Sequence, residues 1–343
     1  PTWSASRWMR RPDAPVSPAP PAALLAIPGV LGVGFGVKER AGALTLVPAW
    51  RVYVREKRPR RRLSPAERIP ARIAGFATDV VERAETRATA GASVSPPQSP
   101  SPSPAVEGVR IANARGVPGT LGCVAVTLHD GAAVLLSNHH VLFGAGAGED
   151  EAVWLVEGDG EPPAFRRIAT SRYGKMGTVD CGGADHHVDC AVAALEGDAL
   201  PPGWRAEPVE TGEATASPGA AVTKLGGATG TTRGVIVDVA YPDVALVEGR
   251  TRAAPRQILV RPVDEGRAFS ADGDSGAVLR DGDGAPVGLL WGVNHRGESV
   301  ACHLAPVLQV LGIRPARLVP PPVPAPRPRR GPLARLAHLF GQG

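Results

Sequence analysis

Residues 269–279 read Phe-Ser-Ala-Asp-Gly-Asp-Ser-Gly-Ala-Val-Leu, a run of turn formers that passes directly into an apolar strand. Gly273 carries no Cβ, so the backbone there can turn its N–H inward, and that N–H and the one of Ser275 can then aim at a developing oxyanion. A serine presented in this way constrains everything else in the chain. Its hydroxyl is a poor nucleophile at neutral pH, and using it requires a histidine base and a carboxylate that orients the base. Both are present. Leu136-Ser137-Asn138-His139-His140-Val141 ends an apolar run on two histidines, and His187-Val188-Asp189-Cys190-Ala191-Val192-Ala193 sets an acid at the mouth of another. Taken singly these are a surface turn, a structural histidine and a loop carboxylate. Taken together, each at a strand edge, they read as one site.

Gly-Asp-Ser-Gly before a strand, and the pattern of small residue, two spacers, His and Val from Ser137 to Val141, resemble the trypsin-like serine proteases. In that phase His140 is the base, Asp189 its orienting acid and Ser275 the nucleophile. The order His, Asp, Ser is that of the chymotrypsin class rather than of α/β-hydrolases or subtilisins. Spacings of 49 and 86 residues allow base and nucleophile to sit on different barrels. The segment from Lys224 to Gly234, Lys-x-Gly-x-x-Thr-Gly-x-Thr-x-Gly, is similar to the second barrel of bacterial relatives of the plant narrow-leaf proteases. So are Val287–Gly292, Cys302–Leu308 and the Val-Gly-Val-Gly strand near residue 33, and the resemblance spans residues 24–312.

The resemblance implies a mainly β fold of two six-stranded antiparallel barrels with the site in the cleft between them. It implies a serine endopeptidase that works through an acyl-enzyme, with Gly273 and Ser275 as oxyanion donors and no metal or cofactor. Protein or peptide would be the substrate, with room for a homo-oligomer or an activating partner. Phe269 and Ser270 would stand at the base of the specificity pocket, which then lacks a carboxylate, and Leu290, Trp291 and Gly292 would form the edge that pairs with the substrate backbone. One departure stands out. In secreted trypsins the aspartate before the serine pairs with a newly cut N-terminus, yet no Ile-Val-Gly-Gly start occurs near residue 107. Asp274 then needs another partner, or the turn forms only when something binds.

At 343 residues the chain has the length of about two domains, and 42 Gly and 36 Pro against 4% aromatic residues fit a turn-rich β protein with connectors. Composition divides it into a Pro- and Arg-rich disordered arm (1–20), a small α+β unit (21–90), a Pro/Ser linker (91–106), the protease-like region (107–314) and a Pro/Arg linker with a short amphipathic helix (315–343). In the small unit, Val30–Val37 and Trp50–Val54 alternate as a hairpin. Ser64-Pro65-Ala66-Glu67 starts a helix toward Ile73, and Ala77–Glu82 returns as a strand. A unit of about 70 residues is marginal alone and is expected to dock on the protease-like region.

Other classes of function have weaker signals. Gly32, Gly34 and Gly36 lie inside an alternating strand, without the strand-then-helix context of a phosphate cradle. Lys57–Arg62 is the sharpest basic run, but it has no interleaved aromatic residues and no reading helix, so a solvated loop without specific nucleic-acid binding is expected. Cys181, His186, His187 and Cys190 invite a zinc reading, yet the spacing is not that of a standard finger and Asp189 falls inside it. No secretory signal and no transmembrane run of about 20 apolar residues is visible. Four cysteines are too sparse for a disulfide scaffold and suit a reducing, cytoplasmic location. Two functions remain: an endopeptidase of limited, regulatory cleavage, and a protease-fold scaffold whose triad is not assembled.

Overall fold

A computed structural model of the protein describes residues 18–88, 106–158, 163–197, 199–209, 215–247, 250–264 and 266–321. The expected N-terminal arm up to residue 17, nearly all of the Pro/Ser linker and the tail helix at Pro332–Phe340 lie outside the described residues. The N-terminal unit consists of a one-turn helix α1 (Ala22–Leu25) and strands β1 (Val30–Arg40), β2 (Ala43–Val54), β3 (Arg72–Ile73), β4 (Phe76–Glu82) and β5 (Thr86–Ala88). The first barrel uses β6 (Arg110–Ala112), β7 (Pro118–Thr120), β8 (Cys123–Thr127), β9 (Ala133–Ser137), β10 (Ala152–Glu157), β11 (Ala164–Cys181) and β12 (Ala184–Leu195). After β13 (Arg205–Pro208), the second barrel uses β14 (Ala221–Gly226), β15 (Gly230–Val247), β16 (Arg250–Pro262), β17 (Val278–Arg280), β18 (Pro286–Asn294) and β19 (Ser299–His303). Helix α3 (Leu304–Leu311) and β20 (Ile313–Val319) complete the described chain; α2 (His139–Leu142) belongs to the site.

The second barrel is closed. Its ladder runs β14-β17-β18-β19-β16-β15, and β15 pairs back onto β14, giving six antiparallel strands in a ring. Closure leaves an inside and an outside, and β14 shows it by strict alternation of exposed and buried residues. Val222, Ile236, Ile258, Val260, Leu279 and Leu290 fill its interior. The first sheet runs β8-β9-β12-β11-β10-β6-β7, antiparallel throughout, with β20 on the other edge of β8 and β13 beyond it. The Pro/Arg linker expected from residue 315 therefore starts later. Ile313 and Pro315 alternate inward on β20, and the missing N–H of Pro315 falls just outside the β13 ladder, whose last rung is Pro208 opposite Ala316.

The N-terminal unit joins the second barrel by strand pairing. β1 lies on β15 with Gly36 opposite Asp238, and β2, β4 and β3 continue outward, so that the sheet counts eleven strands with β5. The hairpin between β1 and β2 turns on Ala41 and Gly42, both at positive φ, as a tight primed turn requires. Close approach explains the alternating glycines, because a Cβ on Gly36 would lie 1.9 Å from the Val237 carbonyl oxygen and one on Gly34 2.1 Å from Asp238 Oδ2. The expected helix from Ser64 is a single 3-10 turn, Pro65–Glu67, after which the chain extends into β3. Pro70 is the reason: it disfavours helical backbone at Ile69 and so stops propagation.

A buried polar knot ties the unit down. Asp238 accepts hydrogen bonds from Phe35 N at 3.0 Å, Ala240 N at 2.8 Å and Tyr53 Oη at 2.6 Å, and lies 3.7 Å from Arg51 Nε. Arg51 also reaches the Val37 carbonyl at 2.8 Å and Asp79 at 3.4 Å. Removing one member of a buried ion pair strands the other charge and costs about 3–5 kcal/mol. Arg51→Met is accordingly expected to lower stability by about that amount, read as a fall in the urea midpoint at unchanged slope. A loss below about 1 kcal/mol would mean that Asp238 needs no counter-charge.

Candidate active site

His140 is delivered at the end of β9. Ser137 closes the strand, Asn138 begins α2, and Val141 and Leu142 of that turn are buried in the core of the first barrel, which fixes the direction in which His140 points. Asn138 Nδ2 donates to the Asp189 carbonyl at 2.6 Å, tying the turn to β12. Asp189 sits on β12, its N–H directed at Cys302 Sγ at 3.3 Å. Its carboxylate accepts from His140 N at 3.1 Å through one oxygen and lies 2.5 Å from His140 Nδ1 through the other. On the far side of the ring, His140 Nε2 lies 2.9 Å from Ser275 Oγ. A carboxylate at Nδ1 favours the proton on that nitrogen, which leaves Nε2 with a lone pair facing the hydroxyl. Ser275 Oγ also lies 3.3 Å from the Trp291 carbonyl, a longer and weaker alternative.

Burial alone would raise the Asp189 carboxyl, but the His140 ring, the His140 N–H and nearby His187 outweigh it and hold the group below its ordinary value of 3.8. His187 is pushed down by burial. It is stacked at a tilt on Trp291, with 5.8 Å between ring centroids.

The nucleophile turn belongs to the second barrel but is clamped by the first. Thr120 of β7 donates its N–H to the Ser275 carbonyl at 2.7 Å and its hydroxyl to the Gly273 carbonyl at 2.8 Å, while accepting from Gly227 N at 2.9 Å. Gly273 adopts φ +98°, and its N–H bonds to no described residue. Gly276, at φ +96°, leaves the space that a Cβ would take 2.3 Å from both Ser137 Oγ and the Thr120 carbonyl oxygen.

Asp274 has the partner that the sequence left open. Its side chain is fully buried and accepts from Ala228 N at 3.0 Å, Thr229 N at 3.1 Å, Thr229 Oγ1 at 2.7 Å and Ala271 N at 3.0 Å. The Lys224 ammonium lies 3.2 Å from it, equally buried, and also donates to Thr229 Oγ1 at 2.6 Å and the Gly230 carbonyl at 3.2 Å. Three N–H groups thus meet three oxygens. Burial pulls the Lys224 ammonium down in pKa and Asp274 pushes it back up, leaving it below its ordinary value. The residues that hold the turn, Thr120, Lys224 and Thr229, went unassigned in the sequence. A lysine at an inward position of the alternating β14 was the one signal available.

The residues expected to meet substrate fare differently. Phe269 is a core residue of the second barrel, and the backbone N–H and carbonyl of Leu290 are bonded to Ala277 and Gly276, so neither offers an edge. Phe269 lies on the connection between β16 and β17, where its ring packs into the barrel core, and the turn after Ser275 takes the Leu290 rung. Ser270 is buried with its hydroxyl 2.6 Å from that of Ser299. Trp291 donates its indole N–H to Gln257 Oε1 at 2.7 Å, and Gly292 is paired with Ala88. His186 and His187, being neighbours on β12, face opposite ways, and Cys190 is buried between Lys175 and the core. Among the described residues no three His, Cys, Asp or Glu side chains converge as a metal site would require. Arg58 of the basic run is paired with Glu67 at 2.5 Å, and Arg60–Arg62 form an exposed 3-10 turn. No helix among the described residues is long and apolar enough to cross a membrane.

Two outcomes test this geometry. Lys224→Met strands the buried Asp274 carboxylate, with an expected stability loss of about 3–5 kcal/mol and slower labelling of Ser275 by a fluorophosphonate; unchanged labelling would relieve Lys224 of any part in holding the turn. Asp189 has a depressed folded pKa, so its ionisation contributes stability above 3.8 that is lost as pH falls through the folded value. The stability difference between wild type and Asp189→Asn should therefore be flat near neutrality and shrink only below 3.8, as urea unfolding across pH will show.

No family model matches the sequence, and no curated protein matches it. Solved structures that match in three dimensions include the Nocardiopsis protease NAPase, at 16% identity and TM-score 0.41 over 63% of this chain and 100% of that one. A glutamic acid specific serine protease matches at 14% and 0.41 over 61% and 99%. The Rv3671c protease of M. tuberculosis matches at 23% and 0.38 over 63% and 100%. Likenesses this distant lend the chain no residue roles, and the fold rests on its own ladders. With one sheet antiparallel throughout and the other built on a closed six-stranded antiparallel barrel, and with His140 and Asp189 carried by the first and Ser275 by the second, the chain has the chymotrypsin-like fold of the trypsin-like serine proteases.

Proposed function

We propose that this protein is a serine endopeptidase acting on protein or peptide substrates, in limited regulatory cleavage. The single observation that carries the reading is the 2.9 Å approach of His140 Nε2 to Ser275 Oγ, with Asp189 at Nδ1. It favours the enzymatic reading over a scaffold, whose premise was an unassembled triad. Ser275 Oγ attacks the scissile carbonyl carbon as its proton passes to His140 Nε2, and the imidazolium that forms is stabilised by Asp189. The carbonyl oxygen becomes an oxyanion facing the N–H groups of Gly273 and Ser275. Collapse breaks the C–N bond, His140 returns the proton to the leaving amine, and a water activated by the same nitrogen hydrolyses the acyl-enzyme. Four unbridged thiols support a reducing compartment, the cytoplasm, as its place of action.

A fluorophosphonate probe and a casein digest test the reading. Wild type should label at one site, Ser275→Ala should not label, and Asp189→Asn should lose about 10⁴ in turnover because the wrong tautomer faces the serine. A folded wild type that never labels would return the scaffold.

A further inference from the structure

The edge of β18 that leads away from the nucleophile is already paired. One side of β18 belongs to β19. On the other side β17 pairs as far as Leu289, the backbone of Leu290 bonds to Gly276 and Ala277, and from Gly292 onward β5 takes over. The register is antiparallel, with Ala88 opposite Gly292, Arg87 opposite Val293 and Thr86 opposite Asn294. Glu85 extends it by one rung: its N–H reaches His295 Nδ1 at 3.1 Å and its carbonyl accepts from His295 N at 3.2 Å. Contact is close enough that a Cβ on Gly292 would meet the Arg87 carbonyl oxygen at 2.8 Å. Two side chains flank the ladder. Arg87 Nη1 lies 2.6 Å from Asp272 Oδ1 on the nucleophile turn, and Tyr241 Oη donates to the Ala84 carbonyl at 3.0 Å.

Direction gives this pairing its meaning. β5 runs from N to C toward the catalytic crevice, because the β18 residue next in that direction is Trp291, whose carbonyl lies 3.3 Å from Ser275 Oγ. An extended peptide that is to present a carbonyl to Ser275 gains most of its main-chain hydrogen bonds by adding a strand to an open sheet edge. We propose that this chain's own Glu85–Ala88 is a resident ligand of the edge Gly292–His295, held where the resemblance places the part of a peptide substrate N-terminal to the bond cleaved. An incoming substrate runs antiparallel to β18 with its C-terminal side toward Ser275, and it must first displace β5. The inference rests on the endopeptidase reading for its chemistry, and on the ladder alone for its occupancy.

The test compares small and extended reactants on the full chain. A fluorophosphonate reacts at Ser275 without using the edge, whereas casein needs it. Replacing Arg87 and Ala88 together by proline removes the Arg87 N–H, the donor of the two that faces β18, and stiffens the strand after it; it should raise casein digestion at least tenfold while labelling stays as in wild type. Unchanged casein digestion with labelling intact would overturn the proposal. If the double variant loses labelling through misfolding, Arg87→Glu decides instead: its side chain is 62% exposed, so the fold tolerates it, and repulsion from Asp272 should raise digestion a few-fold. No rise there would equally overturn it. Should wild type itself never label, the endopeptidase reading fails, and hydrogen exchange in Ser275→Ala still decides occupancy: protected amides at Glu85 and Arg87, the two that face β18, support it, and unprotected ones overturn it.

Discussion

A carboxylate without water around it has to be neutralised where it stands, and Asp274 is that carboxylate. It sits one residue before the nucleophile, so whatever satisfies it also sets the course of the backbone through Gly273, Asp274 and Ser275. Lys224 on β14, the amides of Ala228 and Thr229 and the Thr229 hydroxyl all converge on it. A cation fixed in the barrel wall makes the turn part of the folded state, with no new chain terminus needed to form it. A single lysine at an inward position of an otherwise alternating strand would be a defect in a core and is here the anchor of the site.

From that anchor the two halves of the molecule become interdependent. The second barrel supplies the turn, but Thr120 of the first sheet holds two of its carbonyls, and Ser137 packs where Gly276 has no side chain. His140 and Asp189 ride on β9 and β12, which pair directly with each other, so that base and acid move as one body. The catalytic distances therefore depend on a junction between sheets that is itself hydrogen-bonded, and a shift of either sheet would break polar contacts before it changed the core.

Much of this was legible in the sequence because it is written locally. Gly273-Asp274-Ser275-Gly276 is a turn by composition, and the apolar runs before His140 and after Asp189 are strands by pattern. What escaped was long-range. Lys224 and Asp274 are 50 residues apart, and nothing local marks them as partners. Pro315 misled because proline-rich composition suggested a linker, while the Ile313–Pro315 alternation was too short to weigh against it. Phe269 and Leu290 were placed by analogy of position at a substrate surface, whereas the β16–β17 connection folds Phe269 into the core and strand β18 turns Leu290 inward. The helix expected at Ser64 had a good start signal and was stopped by Pro70, a local conflict that the sequence does contain.

The placement of β5 is a consequence of how the N-terminal unit is attached. Once β1 has paired with β15 and β4 runs parallel to β2, the chain leaves β4 at Glu82 with Arg83 N bonded to the Val54 carbonyl, and Tyr241 of β15 captures Ala84. Two residues later it is on β18. A ladder of so few residues would be unstable by itself, and the exposed Arg87–Asp272 pair adds at most about 1 kcal/mol, a few-fold in occupancy. Tethering changes the comparison, because a strand held this close competes at an effective concentration in the millimolar range, set by geometry rather than by abundance. The N-terminal unit is thus joined to the second barrel by strand pairing through β1 and in return covers the edge of β18 beside the nucleophile through β5.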